Sequence, residues 1–243
     1  MENSPKGYLY LLGLWSSVIF ALTGILYGAS MGILLSKYSI PEYINLEQFM
    51  SSVDPEFIDL YAFCQLFACV STVFFMIILC TIHECVEQYD KIFSKLSICF
   101  GIGFTILASL NYFIQFSIVR LSLNEGTIQN LESFVQFNPR SFSFAINMLG
   151  WSLFLGLSTL FLGMIFKGKG IHLGIRVSFY LTSLFCMIGF IGFIFDSQFL
   201  LLIFQLGMTI GLTIGAILLA FAFKRSKRDN IIINKKSDAI SIP

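Results

Sequence analysis

Six stretches of this chain are apolar over a length that a bilayer-spanning helix explains and an ordinary strand does not. A helix rises 1.5 Å per residue, so about 20 apolar residues are needed to cross a hydrocarbon core of about 30 Å. Residues 8–35, 58–82, 96–119, 142–166, 177–195 and 199–223 meet that requirement. The balance of residue types agrees. Hydrophobic residues make up 56% of the chain and charged residues 12%, whereas soluble domains carry about 25% charged residues. The solvent of such a chain is the bilayer. The predicted fold class is therefore all-α: a polytopic membrane protein built as a single bundle of six transmembrane helices, spanning 1–223. Residues 224–243 are read as a basic, disordered cytoplasmic tail. The first run is longer than the apolar segment of a signal peptide and only Lys6 precedes it, so it is read as a retained helix.

Lysine and arginine set the expected orientation, because cytoplasmic connections carry the excess of both. With both ends of the chain on one side, all but Lys37, Arg120 and Arg140 of the 15 Lys and Arg residues fall on that side. The expectation is a multi-pass protein of the cell membrane with both termini cytoplasmic. The run Lys224-Arg-Ser-Lys-Arg228 is read as a positive anchor that also suits anionic lipid. Net charge is +1, so nothing points to nucleic acid.

Two long connections fall on the outer side, and each holds a short amphipathic pattern. Leu46, Phe49, Met50 and Val53 share one helical face, as do Ile128, Leu131, Phe134 and Val135 after Thr127 as a candidate N-cap. Two short surface helices are expected there, sealing the bundle top or acting as a lid. Asn138-Pro139 reads as the cap and first-turn proline of the fourth span. Glycines recur at every fourth position in the first span (Gly24, Gly28, Gly32) and in the sixth (Gly207, Gly211, Gly215). Such spacing lets helix backbones approach closely. The expectation is that these faces pack the two spans, with a membrane partner or a second copy as the alternative.

Polar residues inside apolar runs carry the functional signal, since they cost free energy unless something satisfies them. Counting rise from the outer boundary, Asn111 lies about 12 Å deep and Gln115 about 6 Å. Gln65 lies about 10 Å deep, Asn147 about 8 Å and Gln205 about 9 Å. Four helices thus bring an amide to one layer, with Trp151 one turn past Asn147 as a floor and Arg120 and Arg140 as a rim. Amides donate and accept without charge. The layer is a candidate pocket for a small neutral or zwitterionic molecule, or else interhelical hydrogen bonding. No Asp, Glu, Lys, Arg or His lies centrally in a span, which argues against proton coupling, voltage sensing or ion pumping.

A second constellation closes the second span. Cys80, His83, Glu84 and Glu87 share one helical face and are all metal-ligand types, and His172 is expected on the same side. A metal- or haem-dependent membrane enzyme is the reading this allows, although paired CxxC and HxxxH ligands are absent. No GxSxG, HExxH or P-loop occurs, so the chain is read as a non-enzymatic membrane protein without a cofactor. Its expected partners are the lipid bilayer, a small-molecule ligand and a membrane partner or homo-oligomer. A structural or accessory subunit packing through the glycine faces is the alternative function. The six cysteines lie in or beside apolar runs and form no disulfide framework.

Overall fold

The computed structural model describes residues 7–38, 43–127 and 129–229. Lys6, Ile128, Lys235, Lys236 and the rest of the expected tail after Asp229 lie outside the described residues. Among those described there are helices and turns and no strand. The elements are α1 (Gly7–Lys37), α2 (Leu46–Ser52), α3 (Pro55–Cys85), α4 (Lys91–Ile114), α5 (Arg120–Glu125), α6 (Phe142–Leu149), α7 (Leu155–Ile165), α8 (Ile171–Ile194) and α9 (Gln198–Asp229). A π-helical turn, Gln115–Val119, joins α4 to α5, and a second, Gly150–Phe154, joins α6 to α7. Six helices are long and apolar enough to cross a membrane. The all-α six-helix bundle read from the sequence is the fold.

The spans form a closed ring. Each packs on its neighbour in sequence (α1 on α3, α3 on α4, α4 on α7, α7 on α8, α8 on α9), and α1 closes on α9. The two long connections and the α8–α9 turn lie at one end of the ring, termed here the loop end. The α3–α4 and α7–α8 connections mark the opposite, tail end. There Lys167 Nζ donates to Asp90 Oδ1 at 2.6 Å and lies 4.8 Å from the Tyr89 ring centroid, tying the two tail-end connections together.

Close packing in a bilayer comes from small residues and interhelical hydrogen bonds rather than from hydrophobic attraction between helices. Two seams follow that rule. Between α4 and α7, Ser97 Oγ donates to Ser158 O at 2.9 Å and Ser158 Oγ donates back to Ser97 O at 2.8 Å. Between α8 and α9, Ser178 Oγ donates to Gly211 O at 2.6 Å. A Cβ on Gly207 would strike the Phe185 ring at 2.3 Å, one on Gly211 would strike Thr182 Oγ1 at 2.4 Å, and one on Gly215 would press the Phe179 ring at 3.0 Å. The glycine face of α9 therefore serves α8 and not α1. The face of α1 is different again: a Cβ on Gly24, Gly28 or Gly32 would meet nothing within 4 Å. The expected packing of these two glycine faces on each other is thus corrected. The α1–α9 seam is drawn tight instead at the tail end, where the Phe223 ring sits 2.5 Å from the position of a Cβ on Gly13.

The loop end is held by its own apolar cluster, in which Leu34, Leu46, Phe49, Phe57, Val119 and Val135 are buried. The first amphipathic pattern forms α2, capped by Asn45, whose Oδ1 accepts from Gln48 N at 2.8 Å. The second does not form a helix. Gly126 ends α5 in the left-handed conformation (φ 70°), Asn130 is also left-handed (φ 61°), and the described residues to Arg140 are turns. Leu131 and Val135 still face inward and are buried, while Phe134 is exposed. Asn138 does not cap the fourth span either. Its Oδ1 accepts from Arg140 N at 3.0 Å, and the cap is Ser141, whose Oγ accepts from Phe144 N at 3.0 Å. Residues 224–229, expected in the tail, continue α9.

These seams predict opposite responses to one substitution. Gly211→Ile should destabilise the bundle by about 1–3 kcal/mol through overpacking. Gly28→Ile should leave thermal unfolding in detergent unchanged, because open space receives the side chain.

Candidate functional site

A cavity of about 310 Å³ opens at the loop end, inside the ring, between α1, α3, α4, α6 and α9. That lies at the small end of ligand pockets, which run from about 300 to 1,000 Å³. Of the predicted amides, Asn147 and Gln205 line it, and so does Trp151. Gln65, Asn111 and Gln115 do not. Among the described residues, no Asp, Glu, Lys, Arg or His lines it.

The absent amides are occupied elsewhere. Gln115 opens the first π turn, and its Nε2 donates to Phe134 O at 2.7 Å while its Oε1 accepts from Gln136 N at 3.1 Å. Asn111 Nδ2 donates to Gln136 Oε1 at 2.9 Å, while its Oδ1 is buried without a partner. Together they replace the helical hydrogen bonds that the 126–141 connection lacks and pull Gln136 down into the bundle, where it lines the cavity. Gln65 is buried on α3, its amide directed at the Tyr61 hydroxyl one turn earlier and its Oε1 without a partner. The amide layer is thus divided: Asn111 and Gln115 tie the 126–141 connection to α4, Gln65 is buried away from the cavity, and Asn147 and Gln205 line it.

Asn147 is 8% exposed, and its Oδ1 has no hydrogen-bond partner. Trp151, in the second π turn, is similarly placed: its Nε1 makes no hydrogen bond in good geometry, and its polar neighbour is the Tyr112 hydroxyl. The indole is held edge-on by Phe104 at 4.9 Å between ring centroids. A buried polar group left unsatisfied costs about 1–3 kcal/mol, so the Asn147 Oδ1 acceptor and the Trp151 Nε1 donor are both poised for a better partner than the protein supplies. Gln198, Gln205 and Thr209 bring a polar stripe down α9 at spacings of seven and four, which keeps them on one face. Tyr27 and Tyr112 add hydroxyls, while Phe20, Met208 and Leu212 make the deeper wall apolar.

Both expected rim arginines lie away from the cavity. Arg120 Nε donates to Asp59 Oδ1 at 2.7 Å, clamping the α4–α5 junction to α3, and Arg140 is exposed. The two long connections are bridged at the surface by Tyr43, whose hydroxyl donates to Glu132 Oε1 at 3.3 Å. Burial, and then the Glu132 carboxylate, push the Tyr43 phenol up to about 12. The folded state favours the neutral phenol, so any stability from this bridge is complete below the ordinary value of 10.0 and is lost as pH rises through about 12.

The tail-end constellation does not assemble. Among the described residues, no three His, Cys, Asp or Glu side chains group as metal ligands. Cys80 is exposed, and His83 Nδ1 is 2.7 Å from Ser94 Oγ, bonding α3 to α4. His172 stacks on Phe166 at 6.3 Å between ring centroids, in a separate apolar niche. One helical face in sequence is not a ligand sphere when its residues turn to different neighbours.

Sequence reasoning missed Gln136, Tyr27, Gln198 and Thr209. The α9 residues carried a usable signal, since their spacing from Gln205 is visible. Gln136 carried none, because a loop residue reaches the bundle only through its partners. Comparison with protein-family models, curated proteins and solved structures returns no match to this chain, so the site alone carries the functional argument.

The anchoring role of Gln115 is directly testable. Gln115→Leu should strand the Phe134 carbonyl and the Gln136 N–H, at about 1–3 kcal/mol each if they stay buried. Limited proteolysis should then cut the 126–141 connection markedly faster than in the parent protein, whereas Arg140→Ala should leave the cutting rate unchanged.

Proposed function

We propose that this protein binds a small neutral or zwitterionic molecule in the loop-end cavity and either holds it or passes it across the bilayer. The observation that carries this reading is Asn147 Oδ1, buried and unpartnered on the wall of an open cavity. The lining supports the ligand class. Amides and hydroxyls offer neutral hydrogen bonds on one part of the wall, aromatic and aliphatic side chains make up the rest, and no charged side chain is present to pair with a net ion. A net charge placed there would be unpaired in a low-dielectric site, which is strongly disfavoured. The proposed setting is the cell membrane, with both termini cytoplasmic and the cavity in the outer leaflet, supported by the lysine and arginine asymmetry.

A second reading is an accessory subunit. The uncovered glycine face of α1 supports it, because such faces admit a partner helix closely. A Gly28→Leu substitution that separates an otherwise co-purifying complex in native mass spectrometry would favour that reading over ligand binding.

Thiol accessibility tests the leading proposal. In a cysteine-free background reconstituted in liposomes, Gln136→Cys, Asn147→Cys and Gln205→Cys should react with a membrane-impermeant thiol reagent from the outside. Gln65→Cys should not react. Uniform inaccessibility of the three cavity positions would overturn the pocket.

A further inference from the structure

Resting on the reading of this cavity as a ligand site, we infer that its occupant is an amphiphile taken from the bilayer: an uncharged or zwitterionic head group held near Gln136, Asn147 and Gln205, with one hydrocarbon chain lying deeper against Phe20, Met208 and Leu212, admitted sideways between α1 and α9.

Three independent observations converge on this. The first is shape. The α9 wall of the cavity runs from Gln198 to Thr213, a rise of about 22 Å out of a hydrocarbon thickness of about 30 Å. A site so elongated along the membrane normal matches a chain lying parallel to the surrounding lipid. Its volume of about 310 Å³ corresponds to roughly ten water-sized groups, which suits one chain rather than two.

The second is the ordering of the wall. On α9 the amides Gln198 and Gln205 come first from the loop end, with Leu201 and Phe204 between them, and the deeper polar groups are the hydroxyls of Thr209 and Thr213, set among Met208 and Leu212. On α1, Tyr27 is nearest the loop end and Phe20 is deepest. Gln136 enters from the loop itself. The amides thus gather toward the loop end, and deeper the wall holds apolar side chains and hydroxyls, of which Thr209 Oγ1 is spent on Gln205 O, an order that suits a head group above its chain. A fully polar solute would leave the deeper wall unmatched, and a pure hydrocarbon would leave Asn147 Oδ1 unsatisfied.

The third is the side opening. Gly24 lies on the cavity wall, and a Cβ there, or on Gly28 or Gly32, would meet nothing within 4 Å. That edge of α1 is uncovered over two turns. Across from it, Gln205 and Thr209 on the cavity wall of α9 are exposed. Toward the tail end the same seam is shut by Phe223 on Gly13. The gap therefore begins at membrane depth and faces lipid, and the glycines keep it free of side chains.

The chain has two tryptophans, Trp15 and Trp151, and Trp151 lines the cavity. In a Trp15→Phe background Trp151 reports alone. Reconstitution in phosphatidylcholine with brominated acyl chains should remove most of the Trp151 emission, relative to the unbrominated lipid. Gly24→Leu, placing a side chain in the gap, should restore at least half of it. Gly7→Leu, at the tail end of α1 where a Cβ also meets nothing within 4 Å and about 25 Å along the helix from Gly24, should restore none and serves as the folding control. Quenching by aqueous acrylamide but not by brominated lipid would leave the pocket standing and overturn the amphiphile. Quenching by neither would overturn both, indicating a cavity closed or covered by another helix or a second copy. Quenching by brominated lipid that Gly24→Leu does not relieve would overturn the path between α1 and α9.

Discussion

In hydrocarbon, apolar side chains gain little by leaving lipid for one another, so helices stay together only where their surfaces fit closely or exchange hydrogen bonds. The whole architecture of this protein depends on where that fit is met. It is met between α8 and α9, through three glycines and the Ser178–Gly211 bond, and between α4 and α7, through the reciprocal Ser97–Ser158 pair. It is met between α1 and α9 at Gly13. Further toward the loop end the α1 glycines face open space, and the ring's interior there is a cavity rather than a packed core. The site is the place where the rule that builds the bundle stops being applied.

Polar groups within the spans divide by the same logic. A buried amide needs partners, and α4 finds them in the 126–141 connection, whose own backbone lacks helical bonds. Each side supplies what the other is missing, and the exchange fixes Gln136 at the cavity. Asn147 and Trp151 have no such exchange, and both stand beside or within a π turn, a distortion that often marks functional positions in helices. One π turn holds the loop down at the loop end, and the other presents the indole from the middle of the fourth span.

Much of the fold was legible because its determinants are local. Run length and apolarity locate the spans to within a few residues, and where the helices extend further, as at Lys91–Lys95 and Arg176, charged residues sit at helix ends that hydropathy alone excludes. Asn147 and Gln205, which depth counting puts in one layer, both line the cavity. What could not be read was rotation and partnership. Asn111 and Gln115 share the depth of Asn147 yet serve a loop, a fact decided by residues about 20–25 positions away that no helical period reveals. The α1 and α9 glycine series look alike in sequence, and only the neighbour each meets distinguishes a packing face from an open one. The tail-end His, Cys and Glu residues share a period but not a neighbour, and the second amphipathic pattern lost its helix to left-handed Gly126 and Asn130.

The α1–α9 seam is shut at the tail end by Phe223 on Gly13 and uncovered at the loop end beside Gly24, over a cavity that we infer a lipid-like chain occupies. A density map of the protein in lipid nanodiscs tests it most directly. α1 and α9 should stand apart beside Gly24 and touch at Gly13 and Phe223, with elongated non-protein density running from Asn147 toward Leu212. A map in which α9 packs against Gly24, Asn147 Oδ1 bonds to another side chain and no density intervenes would contradict it.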